Sequence, residues 1–225
     1  PKPYIRKFIL KSFANQLDLK SGLLSGSINS TSALHTNFTD EQIKNNFSIK
    51  NIPTNKDVGL FVNKSQTGSS LVKILEQTNN LIDKKSIIDN IENGYGILLP
   101  VNGNNPTIES LKIPKDLPTL AIAVQKDEDL IETAQLLSTE LGKFGIISTV
   151  NVFDQGLFFD QVQLGQYTFV LGTNIDSTLG YQRLIPLYTK SLVQITNKDI
   201  HTRLPSIVDT YHESLRDASS WYART

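Results

Sequence analysis

The chain has 225 residues, with 22 basic and 22 acidic side chains, three histidines, one tryptophan and neither cysteine nor methionine. Without cysteine, disulfide scaffolds, zinc ribbons, iron–sulfur clusters and thiol nucleophiles are excluded, and a chain of this length can bury a core in one large domain or two small ones without staples. A net charge of zero, with no long single-sign block, gives no electrostatic reason to expect nucleic acid or an anionic membrane as partner.

In chain order, Tyr4 to Phe13 alternates in the manner of a strand, and Asn15 to Leu24 reads as a short helix ended by Gly26. Ser27 to Thr31 is predicted as a short strand or turn. The stretch from His35 to Asp57, with Phe38, Ile43, Phe47, Ile49 and Ile52 as apolar anchors, predicts a small helix and a strand separated by turns. Val58 to Asn63 is a short apolar strand, followed by a polar connector over Lys64 to Ser70. Leu71, Ile74, Leu75, Leu81 and Ile82, then Ile87, Ile88 and Ile91, recur at helical spacing until Gly94 and Gly96 stop the pattern. Asn102 to Asn105 and the prolines from Pro106 to Pro118 mark a surface loop.

The clearest pattern is a β-α-β unit: strand Thr119 to Val124, helix Asp127 to Lys143 with Leu130, Ala134, Leu137 and Leu141 on one stripe, and strand Ile146 to Phe153. Asp127, Glu128, Asp129 and Glu132 suit a helix N-terminus, and Gly145 closes its far end. A helix over Gln155 to Leu164 and a strand over Tyr167 to Leu171 extend the series, which predicts parallel strands with right-handed crossovers. Two short strands, Leu184 to Tyr188 and Leu192 to Thr196, then lead to a final helix carrying Ile207, Val208, Tyr211 and Leu215.

No apolar run approaches the roughly 18 to 20 residues that span a bilayer. Lys2, Arg6, Lys7 and Lys11 interrupt the start of the chain, so no signal-peptide core is present there. The first residue, Pro1, predicts a processed or truncated chain from which a targeting segment has been lost.

Residues that could carry chemistry are sparse. His35, His201 and His212 are scattered, and none has a metal-binding partner four residues on, so they read as surface histidines rather than a zinc site. Ser25 lacks the setting of a nucleophile elbow, and Gly94-Tyr95-Gly96 follows a helix rather than the strand that a nucleotide loop requires. The acids from Asp127 to Glu132 read as a helix N-terminus rather than an acid/base pair. No residue set argues for an enzyme, and neither a cofactor nor a metal is expected.

Several segments, in order, resemble the second half of a family 5 extracellular solute-binding protein, the peptide-binding receptors of ABC importers. Leu23-Leu24-Ser25-Gly26-Ser27-Ile28-Asn29 is similar to the family's "aLlsGeiD" segment, and Leu60-Phe61-Val62-Asn63 to its "l.lN" crossover strand. Leu71-Val72-Lys73 and Leu81 to Ile88, closing with Asn93-Gly94-Tyr95-Gly96, resemble its helix pair. Thr119 to Phe153, Tyr167 to Gly172, Ile185-Pro186-Leu187-Tyr188 and Trp221-Tyr222 resemble its later strand-helix-strand unit, its "yd..l.g" strand, its "iPLy" return strand and its terminal "WY". Thr173 stands where the family has Trp, the family's Asp-Pro pair is absent, and only Ser177 to Arg183 separate Asp176 from Leu184. The resemblance therefore implies that an internal stretch is missing, along with the part of the first lobe that would precede Pro1.

The resemblance implies an α/β fold of the type II periplasmic-binding-protein kind, with two lobes of mixed sheet joined by crossing hinge strands and ligand held in the cleft between them. Residues 1–58 and 184–225 would belong to lobe I and residues 59–183 to lobe II. It implies a non-enzymatic extracytoplasmic receptor that captures oligopeptides or another small solute by hinge closure. That receptor would be a monomer serving an ABC importer permease, lying outside the cell or in the periplasm as a lipoprotein anchored through a lost N-terminal segment. Asp176, with Thr173 and Asn174 beside it, matches the position where peptide-binding members place the carboxylate that pairs with a peptide's α-ammonium group. The other reading of Asp176 is a plain turn aspartate. Asn63 and Tyr188 match the two crossover strands and are expected at the hinge; otherwise Asn63 merely ends a strand and Tyr188 is a half-buried aromatic. Trp221 and Tyr222 are expected to dock the C-terminal helix. The competing function is a non-catalytic interaction domain that keeps the fold and has lost its pocket.

Overall fold

The computed structural model describes residues 7, 9–33, 41–91, 96–100, 114, 116–202 and 222–223. The chain divides into two compact units, Pro1–Asn55 with Lys190–Thr225, and Lys56–Thr189. It therefore passes from one unit to the other twice, inside strand β2 (Phe47–Asn63) and inside strand β7 (Tyr181–Asn197).

The Lys56–Thr189 unit is built on the β-α-β series. Strands β4 (Leu120–Gln125), β5 (Ser148–Phe153) and β6 (Phe169–Thr173) are parallel, with β4 between the other two; Leu120 faces Ser148, and Ile122 faces Phe169. The end of β2 runs antiparallel to β6, from Val58 opposite Thr173 to Val62 opposite Phe169. Strand β3 (Ile97–Leu98) pairs antiparallel with β7, so the order in this unit is β3–β7–β2–β6–β4–β5.

Two-residue periodicity divides these strands between two apolar layers. Leu60, Val62, Ile122, Val124, Phe169 and Leu171 pack with helices α3 (Ser70–Thr78), α4 (Lys84–Ile91) and α5 (Glu128–Gly142). Phe61, Ala123 and Val170 pack with Phe158 and Val162 of α6 (Gln155–Gln163), and with Tyr181. Helix α5 begins where the sequence places its signal: Asp127 accepts the Leu130 N–H at 3.1 Å, with Glu128 and Asp129 in the first turn. The turn after it closes at Gly145, whose φ of +76° suits a residue without a Cβ. The apolar run from Leu71 to Ile91 is broken into two helices. Asp83 starts the second by accepting the Ser86 N–H at 3.0 Å.

The Pro1–Asn55 and Lys190–Thr225 unit contains helix α1 (Gln16–Leu24), capped by Asn15, and strand β1 (Ser30–Ala33). It also holds the short helix α2 (Glu41–Asn46) and the outer halves of β2 and β7, in the order β1–β7–β2. β1 pairs antiparallel with β7, Ser30 opposite Thr196, and strand β8 (Ile200–His201) pairs with β9 (Tyr222–Ala223). Its described core includes Leu23, Ile43, Phe47, Ile52, Leu192, Val193 and Ile195.

Three expectations are corrected. Residues 9–13 are not a strand, and Ile9 and Leu10 are exposed; alternation alone does not make a strand without a neighbour to share its hydrogen bonds. Among the described residues 41–57 the predicted turns are absent, because α2 runs straight into Phe47 to Asn63, which is one strand. Pro53 is tolerated there because β2 is the outer strand of its unit at that point. The two predicted strands after Leu184 are likewise one, β7. Thr189 and Ser191, polar residues that suggest a break, are buried in it, and Thr189 donates to Asp57 at 2.6 Å. The predicted final helix over Ile207 to Leu215, the Asn102 to Asn105 loop, Tyr95, His35, His212 and Trp221 lie outside the described residues, as does the side chain of Tyr222.

Candidate functional site

At the C-terminal end of β6 the Lys56–Thr189 unit has a cavity of about 450 Å3, lined in part by Asp57, Phe61, Asn174, Tyr181 and Arg183. Polar loops at the C-terminal ends of parallel strands are where α/β sheets usually hold ligands.

The connection from β6 to β7 leaves opposite Asp57 and arrives opposite Lys64, so it runs the length of the inner half of β2. Asn174 opens it with φ +46°, a left-handed conformation that asparagine accepts more readily than most residues. Its backbone N–H donates to the Asp57 carbonyl and its Oδ1 accepts the Asp57 N–H, both at 3.2 Å. Asp176 then caps a short 3-10 turn, Ser177–Leu179, by accepting the Thr178 N–H at 2.8 Å. Lys64 donates through Nζ to the Ser177 carbonyl at 3.0 Å, and its own N–H meets the Gly180 carbonyl.

Asp57 is the polar centre of the site. Its carboxylate accepts from Arg183 Nη1 at 2.8 Å and from the Thr189 hydroxyl at 2.6 Å, tying β2 to β7 at the cavity wall. Between Asp57 and Phe61, Gly59 lies so close to β7 that a Cβ would stand 2.8 Å from the Ile185 carbonyl oxygen. Beneath the cavity Tyr181 is fully buried and donates to the Tyr167 carbonyl at 2.6 Å. Burial pushes its phenol up, against an opposing hydrogen bond with Asn63, so it stays a neutral donor.

The Asp176 carboxylate is exposed and is held below the usual carboxylate range, first by the Thr178 backbone N–H, then by the Thr178 side chain and by Lys64. It therefore keeps its negative charge through neutral pH. Chemically it can pair with a cation such as an ammonium group.

Thr173 closes β6 and Asn174 and Asp176 lie on the connection after it, but of the three only Asn174 lines the cavity. Asn63 and Tyr188 do not line this cavity. Asn63 sits at the end of β2 away from the point where the chain changes unit, and its Oδ1 accepts from the Ser65 N–H and hydroxyl at 3.1 and 2.8 Å. Tyr188 is fully buried beside the second passage and shares a 3.0 Å hydrogen bond with the Thr133 hydroxyl. Asp57 and Arg183 are the residues that sequence reasoning missed. They are 126 positions apart, and only strand pairing brings them together. Among the described residues no group of three His, Asp or Glu side chains could hold a metal, and no helix is long and apolar enough to cross a membrane.

No protein-family model and no curated protein sequence matches the chain. Solved structures match nearly all of it. The ABC transporter substrate binding protein CtaP from Listeria monocytogenes aligns over 95% of this chain and 59% of its own, with TM-score 0.64 and 11% identity. The unliganded open form of the periplasmic murein tripeptide binding protein MppA aligns over 94% and 56%, with TM-score 0.65 and 10% identity. NikA from Brucella suis, in complex with Fe(III)-EDTA, aligns over 94% and 61%, with TM-score 0.61 and 9% identity. The chain thus spans less than two thirds of the length of these proteins, at identities that speak to architecture alone. Its fold is the mixed α/β fold of the type II periplasmic-binding-protein kind.

Proposed function

We propose that the chain is part of a non-catalytic, extracytoplasmic solute-binding receptor of an ABC importer, and that it captures oligopeptides by hinge closure. The observation that carries this reading is the likeness of about 95% of the chain to a substrate-binding protein of that transporter class, across two units joined by two strands. On this reading the two units act as the lobes, and β2 and β7, with Asn63 and Tyr188 on them, carry the hinge. The receptor is a monomer that delivers to a permease, and an N-terminal lipid anchor tethers it to the membrane.

A peptide, rather than a metal chelate of the kind held by NikA, is favoured by Asp176. An exposed carboxylate that keeps its charge at neutral pH suits an α-ammonium group and repels a polycarboxylate chelate. Asn174 and Thr173 flank it with side chains able to hydrogen-bond a peptide backbone, which serves binding that is indifferent to sequence. Ligand contact with both lobes in the closed form alone would make closure a population shift set by differential affinity.

Thermal unfolding of the chain in defined tripeptide mixtures tests this. Binding stabilises the fold by RT ln(1 + [L]/Kd), about 2.7 kcal/mol at a hundredfold excess over Kd. A saturable rise in melting temperature with peptides, and none with free sugars or Fe(III)-EDTA, is the expected result. No rise with any peptide would favour an interaction domain without a pocket.

A further inference from the structure

The junction of α3 and α4, whose pocket shares no lining residue with the cavity above, holds a buried lysine that the proposed receptor function does not use. Lys84 is 6% exposed. Its Nζ donates to Asn79 Oδ1 at 2.7 Å, and among the described residues no carboxylate lies within ion-pair distance of it. An ammonium group has three N–H donors, so this neutral contact leaves two without an acceptor among the described residues. Lys84 lines a pocket of about 330 Å3 whose wall includes Asn80, Ile82, Leu98 and Leu99.

The other charges nearby are already engaged. Asp83 caps α4 through the Ser86 N–H, Lys85 pairs with Asp89 at 2.9 Å, and Glu140 of α5 pairs with Lys143 while accepting the Asp83 N–H. Burial pulls the Lys84 ammonium down to about 8, which marks a cation stripped of water with no counter-charge. At neutral pH it is still largely protonated, and the cheapest remedy for a buried unpaired cation is an anion.

We infer that this pocket binds a small organic monocarboxylate, its oxygens on Lys84 Nζ and its short apolar tail against Ile82, Leu98 and Leu99. The apolar wall disfavours a fully hydrated anion such as phosphate, and the Asp83 carboxylate at the rim disfavours a second negative charge.

Thermal shift at constant ionic strength, with chloride as counter-ion, separates the possibilities for the whole chain. Butyrate is expected to raise the melting temperature saturably, acetate less so, and inorganic phosphate not at all. Lys84→Met should weaken the apparent butyrate affinity by about tenfold or more, as expected for a lost charge-assisted hydrogen bond, while Lys126→Met, at a lysine that does not line the pocket, leaves it unchanged. On the wild-type chain, butyrate should also slow acylation of Lys84 by acetic anhydride, read by peptide mass spectrometry, without slowing it at Lys126. Equal shifts with phosphate, an undiminished butyrate effect in Lys84→Met, or acylation of Lys84 indifferent to butyrate would overturn the assignment.

Discussion

The β4–α5–β5 layer and the connection from β6 to β7 belong to the same unit but are held by different forces. The layer is apolar: Leu120, Ile122, Val124, Ala134, Leu137 and Leu141 are all fully buried, and each helix end carries its own stop signal. The connection is polar and exposed, and side-chain-to-backbone bonds from Asn174, Asp176 and Lys64 set its shape. Stability and ligand contact are therefore separable here. The residues of the layer do not line the cavity, and its polar wall, Asp57, Asn174 and Arg183, stands outside the core; Phe61 and Tyr181 belong to both, through the second apolar layer.

That separation fixes the order of expected effects. Leu137→Ala, which opens a hole under the sheet, should cost about 2 to 5 kcal/mol in urea unfolding, while Asp176→Asn should leave the unfolding midpoint nearly unchanged. Comparable losses at the two positions would break the distinction. Lys84 adds a pH signature to the apolar side. Its folded value near 8 lies below its ordinary 10.5, so the unfolded chain binds more protons between these limits and stability rises as pH climbs through them. The gain should be at most about 3 kcal/mol, reduced by solvent screening, and is seen as the difference between wild type and Lys84→Met in carboxylate-free buffer at pH 7 and pH 10.5.

Gly59→Ala lies where the two regimes meet, since the new methyl group would press on the Ile185 carbonyl of β7. A cost of about 1 to 3 kcal/mol is expected in the same unfolding measurement, together with a change in any ligand affinity of the cavity. Smallest is Asp127→Ala, which removes only the α5 cap, for about 1 kcal/mol and no change in ligand binding.

The same division explains what could be read from the sequence. The β-α-β series was legible because its residues are chosen by periodicity: a continuous apolar strand, a stripe at helical spacing, an aspartate cap and a glycine stop. Long strands were less so. Phe47 to Asn63 carries Pro53 and a polar middle, Asn55-Lys56-Asp57, that resemble a turn; the backbone stays extended because the neighbouring strand supplies partners, as Thr54 does by donating to the Lys190 carbonyl at 2.7 Å. In the candidate site, Asp176 and its neighbours were reachable only through resemblance to a family pattern. The Asp57–Arg183 pair was not reachable at all, because no local rule relates residues that meet through strand register. Lys84 illustrates the same limit. A lysine at the start of a polar-looking helix reads as exposed, and only the fold, which brings Asn79, Ile82, Leu98 and Leu99 around it, buries it.

The claim that this chain captures peptides through Asp176 is tested most directly by calorimetric titration with a tripeptide bearing a free α-amine and with its N-acetylated form. The expected result is that the free amine binds about tenfold or more tighter than the acetylated peptide, and that Asp176→Asn removes this difference while leaving the fold intact. Equal affinities for the two peptides, or a preference that survives Asp176→Asn, would contradict it.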